Sequence, residues 1–218
     1  MVGAELPTDN PGGEFFVYIG RDPEKTLLGR NSDMGIDDEA FGNLLSIPQC
    51  CRDFFLDQSQ RFSDLQNDYF LDYYNSGETV FCDPLTNISS QYFGYGLISY
   101  FPCSVNCTQT KTRSIANYNL IKSHDASLAA KFMEWQKFDY LYTEFDGIYA
   151  LKDTELEGSF LHFDATEIEG TSCGILWENL LRSDRIEIRG KRSYRLFSNS
   201  ARIMELESEL VALCVCSA

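Results

Sequence analysis

The chain has 218 residues, 44% apolar and 14% aromatic, enough for one compact domain with a sizeable core. Its 33 Asp and Glu outnumber 18 Lys and Arg, for a formal charge of -15. That balance argues against nucleic acid or an anionic membrane surface as the main partner, because phosphate binding depends on clustered cations that release counterions. No apolar run approaches the roughly 20 residues of a spanning helix, and MVGAELPTDNPGGEFF has neither a basic nor an apolar leader segment, so a cytoplasmic protein is expected.

Residues 1–14, polar and rich in Pro and Gly, read as a flexible lead-in to a single α+β domain over 15–218, with a candidate sub-boundary near 146. FFVYIG reads as a short buried strand, Pro23 opens a helix, and NSDMG reads as a loop. Asp37 and Asp38 precede a short helix in which Phe41, Leu44 and Leu45 recur at helical spacing. Ser46, Ile47 and Pro48 mark another helix start, with Phe54, Phe55 and Phe62 turned inward. A further helix carries Leu65, Tyr69, Phe70 and Tyr73 and stops at Asn75-Ser76-Gly77. Residues 78–100 read as an irregular, aromatic loop pressed against the core.

Pro102 opens a second proline-led helix that runs to a break at Ser123-His124-Asp125. ASLAAKFMEWQKFDYLYTEF follows as a helix with Leu128, Phe132, Trp135 and Phe138 on one stripe. From Gly147 the period changes to alternation, with a hairpin corner at Arg189-Gly190-Lys191, and SARIMELESELVAL reads as a final helix. The expected architecture is α+β, a helical N-terminal two-thirds packed on a small C-terminal antiparallel sheet.

Eight cysteines stand at 50, 51, 82, 103, 107, 173, 214 and 216. In a reducing cytosol they stay free unless they bind metal or do redox chemistry. P-Q-C-C at 48–51 and P-C-x-x-x-C at 102–107 both place cysteine just behind a proline at a helix start. Helical positions i and i+4 lie about 40° apart, so Cys103 and Cys107 would present both sulfurs on one face. A helix N-terminus also favours thiolate, the metal-binding form. Cys50, Cys51, Cys103 and Cys107 therefore offer four ligands, the number used by zinc and by iron–sulfur clusters. Adjacent helical side chains diverge by about 100°. Either the backbone at 50 and 51 is not helical or only one of the pair ligates, with Cys82 in reserve. Ligands spread over helix starts, without C-x-x-C knuckles, point to an iron–sulfur centre, with zinc the alternative.

The segments IPQCCRDFF (47–55) and FPCSVNC (101–107) resemble a pattern in largely uncharacterised prokaryotic proteins that pair P-x-C-C with a later P-C-x-x-x-C. The resemblance implies a cytosolic bacterial or archaeal protein in a biosynthetic pathway and carries no reaction across. The adjacent cysteines also resemble the C-C element of heterodisulfide-reductase-type cluster domains, but the following glycine and the closing C-x-x-C are missing.

Of the two histidines, His162 shares a strand face with Asp164, a candidate base and orienter that also reads as an ordinary solvated sheet face, while His124 reads as a cap. No G-x-S-x-G, P-loop, H-E-x-x-H or G-x-G-x-x-G is present. The expected function is a cysteine-ligated metal or iron–sulfur enzyme of biosynthesis, acting on a small molecule or cationic peptide. The alternatives are a zinc-stapled interaction module with an acidic binding face, or a thiol redox protein using Cys50 and Cys51.

Overall fold

The computed structural model describes residues 17–35, 37–61, 71, 73–74, 81–208 and 211–216, with backbone alone at 58–61. Phe62, Leu65, Tyr69 and Phe70 lie outside the described residues. The chain falls into two compact units, the first ending at Ile47 and the second beginning at Pro48.

Aspartate caps decide where the helices of the first unit begin. The Asp22 carboxylate accepts from the N–H groups of Glu24 and Lys25 at 3.0 and 3.2 Å, and Pro23 needs no partner at the first helical position. Helix α1 (Pro23–Met34) continues through NSDM, which the sequence reading placed in a loop. Upstream, residues 17–20 have no regular structure and Val17 and Ile19 are 78% and 91% exposed, so the expected buried strand is not seen among the described residues. Asp37 caps α2 (Asp38–Leu44). That helix ends in paired bonds from Ile47 N–H to the Gly42 carbonyl and from Ser46 N–H to that of Asn43, both 3.0 Å, with Ser46 in the left-handed region (φ 56°).

The second unit starts with α3 (Gln49–Arg61). Two 3-10 turns, Pro84–Thr86 and Ser89–Phe93, lie in the irregular region, where Thr86 to Ser90 are buried as the loop reading expected. Then come α4 (Thr108–His124) and α5 (Ala126–Gln136), separated by Asp125, whose carboxylate caps α5. On α5 the stripe is only partly covered: Trp135 is buried, Phe132 is half-buried and Leu128 is exposed. No helix among the described residues is long and apolar enough to cross a membrane.

A helical N-terminal two-thirds on one small sheet is not what the chain forms, although the class is α+β. Helix stops at Gln136 and strand begins at Asp139. The strands are β1 (Asp139–Thr143), β2 (Gly147–Leu151), β3 (Glu155–Glu157), β4 (Phe160–His162), β5 (Glu169–Gly170), β6 (Arg185–Gly190), β7 (Ser193–Ser198), β8 (Ala201–Glu207) and β9 (Val211–Cys214), with α6 (Ile175–Leu180) between β5 and β6. They build a four-stranded sheet, β5-β2-β1-β9, and a five-stranded sheet, β3-β4-β6-β7-β8. Every named pairing is antiparallel.

The helix expected over 139–145 fails because Asp139–Thr143 is buried along its whole length, and such a strand shows no period. The final helix fails for a related reason. In β8, Met204 and Leu206 pack on the core while Glu205 between them bonds Arg195 Nε at 2.7 Å, a period of two.

The four-stranded sheet separates two cores. Tyr140, Tyr142, Ile148, Ala150, Ala212 and Cys214 face the helical side with Tyr73, Ile88, Val105 and Trp135. Leu141, Tyr149, Leu151, Val211 and Leu213 face the second sheet through Leu161, Ile186, Tyr194 and Leu196.

Tyr194 bonds across that second core. Its hydroxyl donates to the Lys191 carbonyl and accepts from the Leu213 N–H at 3.2 Å, on the edge of β9 turned away from β1. Tyr194→Phe leaves a buried N–H without its partner, and a loss of about 1–3 kcal/mol is expected in urea denaturation.

Candidate metal centre

Four sulfurs converge where two helices begin. Pro48 accepts from the N–H groups of Cys51 and Arg52 at 2.9 and 3.0 Å, which opens α3 with Cys50 and Cys51 in its first turn. Both backbones are helical, yet their sulfurs lie 3.8 Å apart. Cys107 stands over the gap between them, at 3.8 Å from Cys50 Sγ and 3.7 Å from Cys51 Sγ. Adjacency in a helix therefore does not prevent both residues from facing one point. Cys103 completes the group, and the four sulfurs lie within 4.8 Å of one another. Cys51 and Cys107 are 1% and 6% exposed, and Cys50 and Cys103 are half-buried.

The reason Cys103 and Cys107 meet differs from the sequence argument. Helix α4 starts only at Thr108, with Cys107 at its cap, so the pair is not one helical turn apart. Pro102–Cys107 instead forms a turn, closed by the Cys107 N–H on the Ser104 carbonyl at 3.2 Å. The Val105 carbonyl is held by the Asp83 N–H at 3.1 Å and the Thr86 hydroxyl at 2.5 Å. These bonds tie the turn to the segment 83–86, which itself packs on α4 through Lys111 and Ser114.

Thr110 and Tyr100 belong to the site and carried no signal of their own in the sequence. Tyr100 donates its hydroxyl to Thr110 Oγ1 at 3.3 Å, and Thr110 Oγ1 lies 3.4 Å from Cys51 Sγ. The position of Thr110 three residues after Cys107, in the first turn of α4, was the available clue.

The sulfurs differ in acidity. Burial pushes Cys51 up to about 12, against hydrogen bonds from Thr110 and from the Cys103 backbone. Burial and the neighbouring sulfurs raise Cys103 as well. At Cys107 burial is outweighed by the Thr110 hydroxyl and peptide group and by the thiols of Cys103 and Cys51, which bring it down to about 7. Cys107, at the N-terminus of α4, is thus the sulfur shifted toward thiolate, while Cys51 and Cys103 would give up their protons to a bound cation. The residues present suit a metal ion.

Other sequence candidates lie elsewhere. Cys82 joins a separate group, bonded to Cys214. Cys173 is exposed. His162 Nε2 is 3.7 Å from Glu157 Oε2, while Asp164 accepts from the Thr166 N–H and hydroxyl at 2.8 and 2.7 Å and caps a 3-10 turn.

No family model, curated protein or solved structure matches the chain.

Thr110 supplies the donors that favour the Cys107 thiolate, so Thr110→Val is expected to raise the pH midpoint of Cys107 alkylation in metal-free protein by about 0.5–1 unit, read by iodoacetamide rates with peptide mass mapping. An unchanged midpoint would remove Thr110 from the site.

Proposed function

We propose that the chain is a zinc-stapled module in which Cys50, Cys51, Cys103 and Cys107 bind one ion and lock the start of α3 to the turn that precedes α4. The sulfur spacing carries this reading. Four sulfurs around one ion at about 2.3 Å stand about 3.8 Å apart along each tetrahedral edge. Three of the six separations, those among Cys50, Cys51 and Cys107, are 3.7, 3.8 and 3.8 Å, and those to Cys103 lie within 4.8 Å. In an iron–sulfur cluster the thiolates bind different irons with sulfide between them, which spreads the protein sulfurs more widely. The spacing thus favours zinc over the cluster expected from the motifs.

Four thiolates fill a tetrahedral ion, the pattern of a closed structural site rather than of a catalytic one that keeps a position open. Zinc supplies cross-linking and no redox chemistry. The partner proposed is a cationic peptide or protein surface, attracted by the formal charge of -15. Asp53 and Asp57 stand exposed on α3, two and six residues beyond Cys51.

Elemental analysis of oxygen-protected protein is expected to find one zinc per chain in a colourless sample. Cys103→Ser and Cys107→Ser are each expected to weaken zinc binding by at least about 100-fold, while Cys173→Ser retains it. Iron with sulfide and broad visible absorption, or equal zinc content in all three variants, would overturn the reading.

A further inference from the structure

Cys82, Cys214 and Cys216 form a second sulfur group, buried and separate from the first. Strand geometry assembles it. Residues 214 and 216 of an extended segment point to the same side. The Cys82 N–H bonds the carbonyl of Val215, the residue between them, at 3.1 Å, and Phe81 is bridged to Val215 in parallel. Cys82 is thus presented with two nearly equivalent partners. It is disulfide-bonded to Cys214, across 132 residues of sequence, with the two Cα atoms 6.0 Å apart. The free Cys216 Sγ lies 2.8 Å from Cys82 Sγ and 3.5 Å from Cys214 Sγ.

Cys216 is held in place by polar contacts. Its N–H donates to Asp139 Oδ1 at 2.6 Å, and Asp139 Oδ2 takes the Thr154 hydroxyl at 2.6 Å. The Asn87 side-chain amide donates to Cys216 Sγ at 3.3 Å.

We propose that these three residues are an internal disulfide-exchange centre with Cys82 as the shared sulfur. Cys216, as thiolate, attacks Cys82 Sγ. The Cys82–Cys216 bond forms as the Cys82–Cys214 bond breaks, the electron pair leaves on the Cys214 sulfur, and Cys214 takes up the proton that Cys216 gave up. One disulfide and one thiol stand on each side of the exchange, so no outside oxidant or reductant is consumed. The Cys214 and Cys216 sulfurs stand 3.5 Å apart, beside each other, so rotation of these side chains about χ1 has to part them before the attack lines up with the bond that breaks. The result moves the covalent tie from β9 to the residue just beyond Val215.

Burial keeps soluble thiols out and confines the exchange to the chain. It also raises Cys216 well above the ordinary thiol range, with Asp139 and Asp83 acting in the same direction and Asn87 opposing. Tyr73, Tyr74 and Tyr140 also face Cys216, and burial, the largest cause in each case, keeps their hydroxyls protonated. Exchange is therefore slow at neutral pH and faster in alkali.

Wild-type protein held native at neutral pH and at about pH 9, then acid-quenched and digested with pepsin, tests this by tandem fragmentation across Val215. Both the Cys82–Cys214 and the Cys82–Cys216 links are expected, the second accumulating faster at the higher pH. Only Cys82–Cys214 after prolonged incubation at both values would overturn the proposal. Cys214→Ser refolded from denaturant with oxidised glutathione, when its thiols are open to the oxidant, is expected to form Cys82–Cys216 in a yield within about twofold of the Cys82–Cys214 link formed in the same way in Cys216→Ser. Free Cys82 and Cys216 in a Cys214→Ser protein of wild-type circular dichroism would also overturn it.

Discussion

The structure of the second unit depends on a four-stranded sheet that is apolar on both faces. Tyr140 and Leu141 are each fully buried yet belong to different cores, one on the helical side and one against the second sheet. A fully buried side chain of this size is worth about 1.5–3 kcal/mol, so neither face can be left to solvent. The chain meets the requirement by building helices and turns before β1, the second sheet after β2, and then returning β9 to lie beside β1. That return brings residues 214–216 against the segment at 81–82, and it is the reason sulfurs so far apart in sequence share one spot.

The segment from Cys82 to Thr86 links the two sulfur groups. At one end Cys82 is tied to β9 covalently and through the Val215 carbonyl. Next to it, Asp83 pairs with Lys111 of α4 at 2.8 Å while its N–H holds Val105. Thr86 holds the same carbonyl, and Ser114 of α4 donates to the Leu85 carbonyl at 2.5 Å. The turn bearing Cys103 and Cys107 therefore rests on hydrogen bonds to a segment that the central sheet anchors. Its shape is set by backbone and hydroxyl partners rather than by the sulfurs themselves, which is how a loop can be positioned before it is asked to bind.

Local chemistry in the sequence located much of this and stopped where distant contacts took over. Pro23 and Asp37 announced helix starts and Ser123-His124-Asp125 a break, because such signals act within a few residues, although the caps themselves are Asp22 and Asp125. The two proline-cysteine segments suggested a four-thiol group, and their sulfurs do converge. Pro102 misplaced the start of α4, since a proline marks a point where helix can begin without requiring that it begin there. DYLYT reads as the tail of a helical stripe because burial on both faces erases the alternation that identifies a strand. RIMELESELV has apolar residues at steps that fit either period, and only pairing with β7 selects two. The second sulfur group had no local signal at all, because it exists through the register of β9 and the crossing of residue 81.

Why one chain should hold two sulfur groups of different chemistry follows from their electrostatic settings. Gathering four thiolates concentrates negative charge, which is tolerable only beside positive potential. The first group lies at the N-termini of α3 and α4, is partly open to solvent, and contains a cysteine brought down to about 7. The second lies at the end of a strand, is buried, and has Asp139 and Asp83 as its charged neighbours. Thiolates there would be desolvated and repelled at once. A disulfide carries no charge and removes two ionisable protons, so it is the form of sulfur that such a site favours. A cation belongs in the first setting and a covalent bond in the second, although both groups lie within hydrogen-bonding reach of the same short segment.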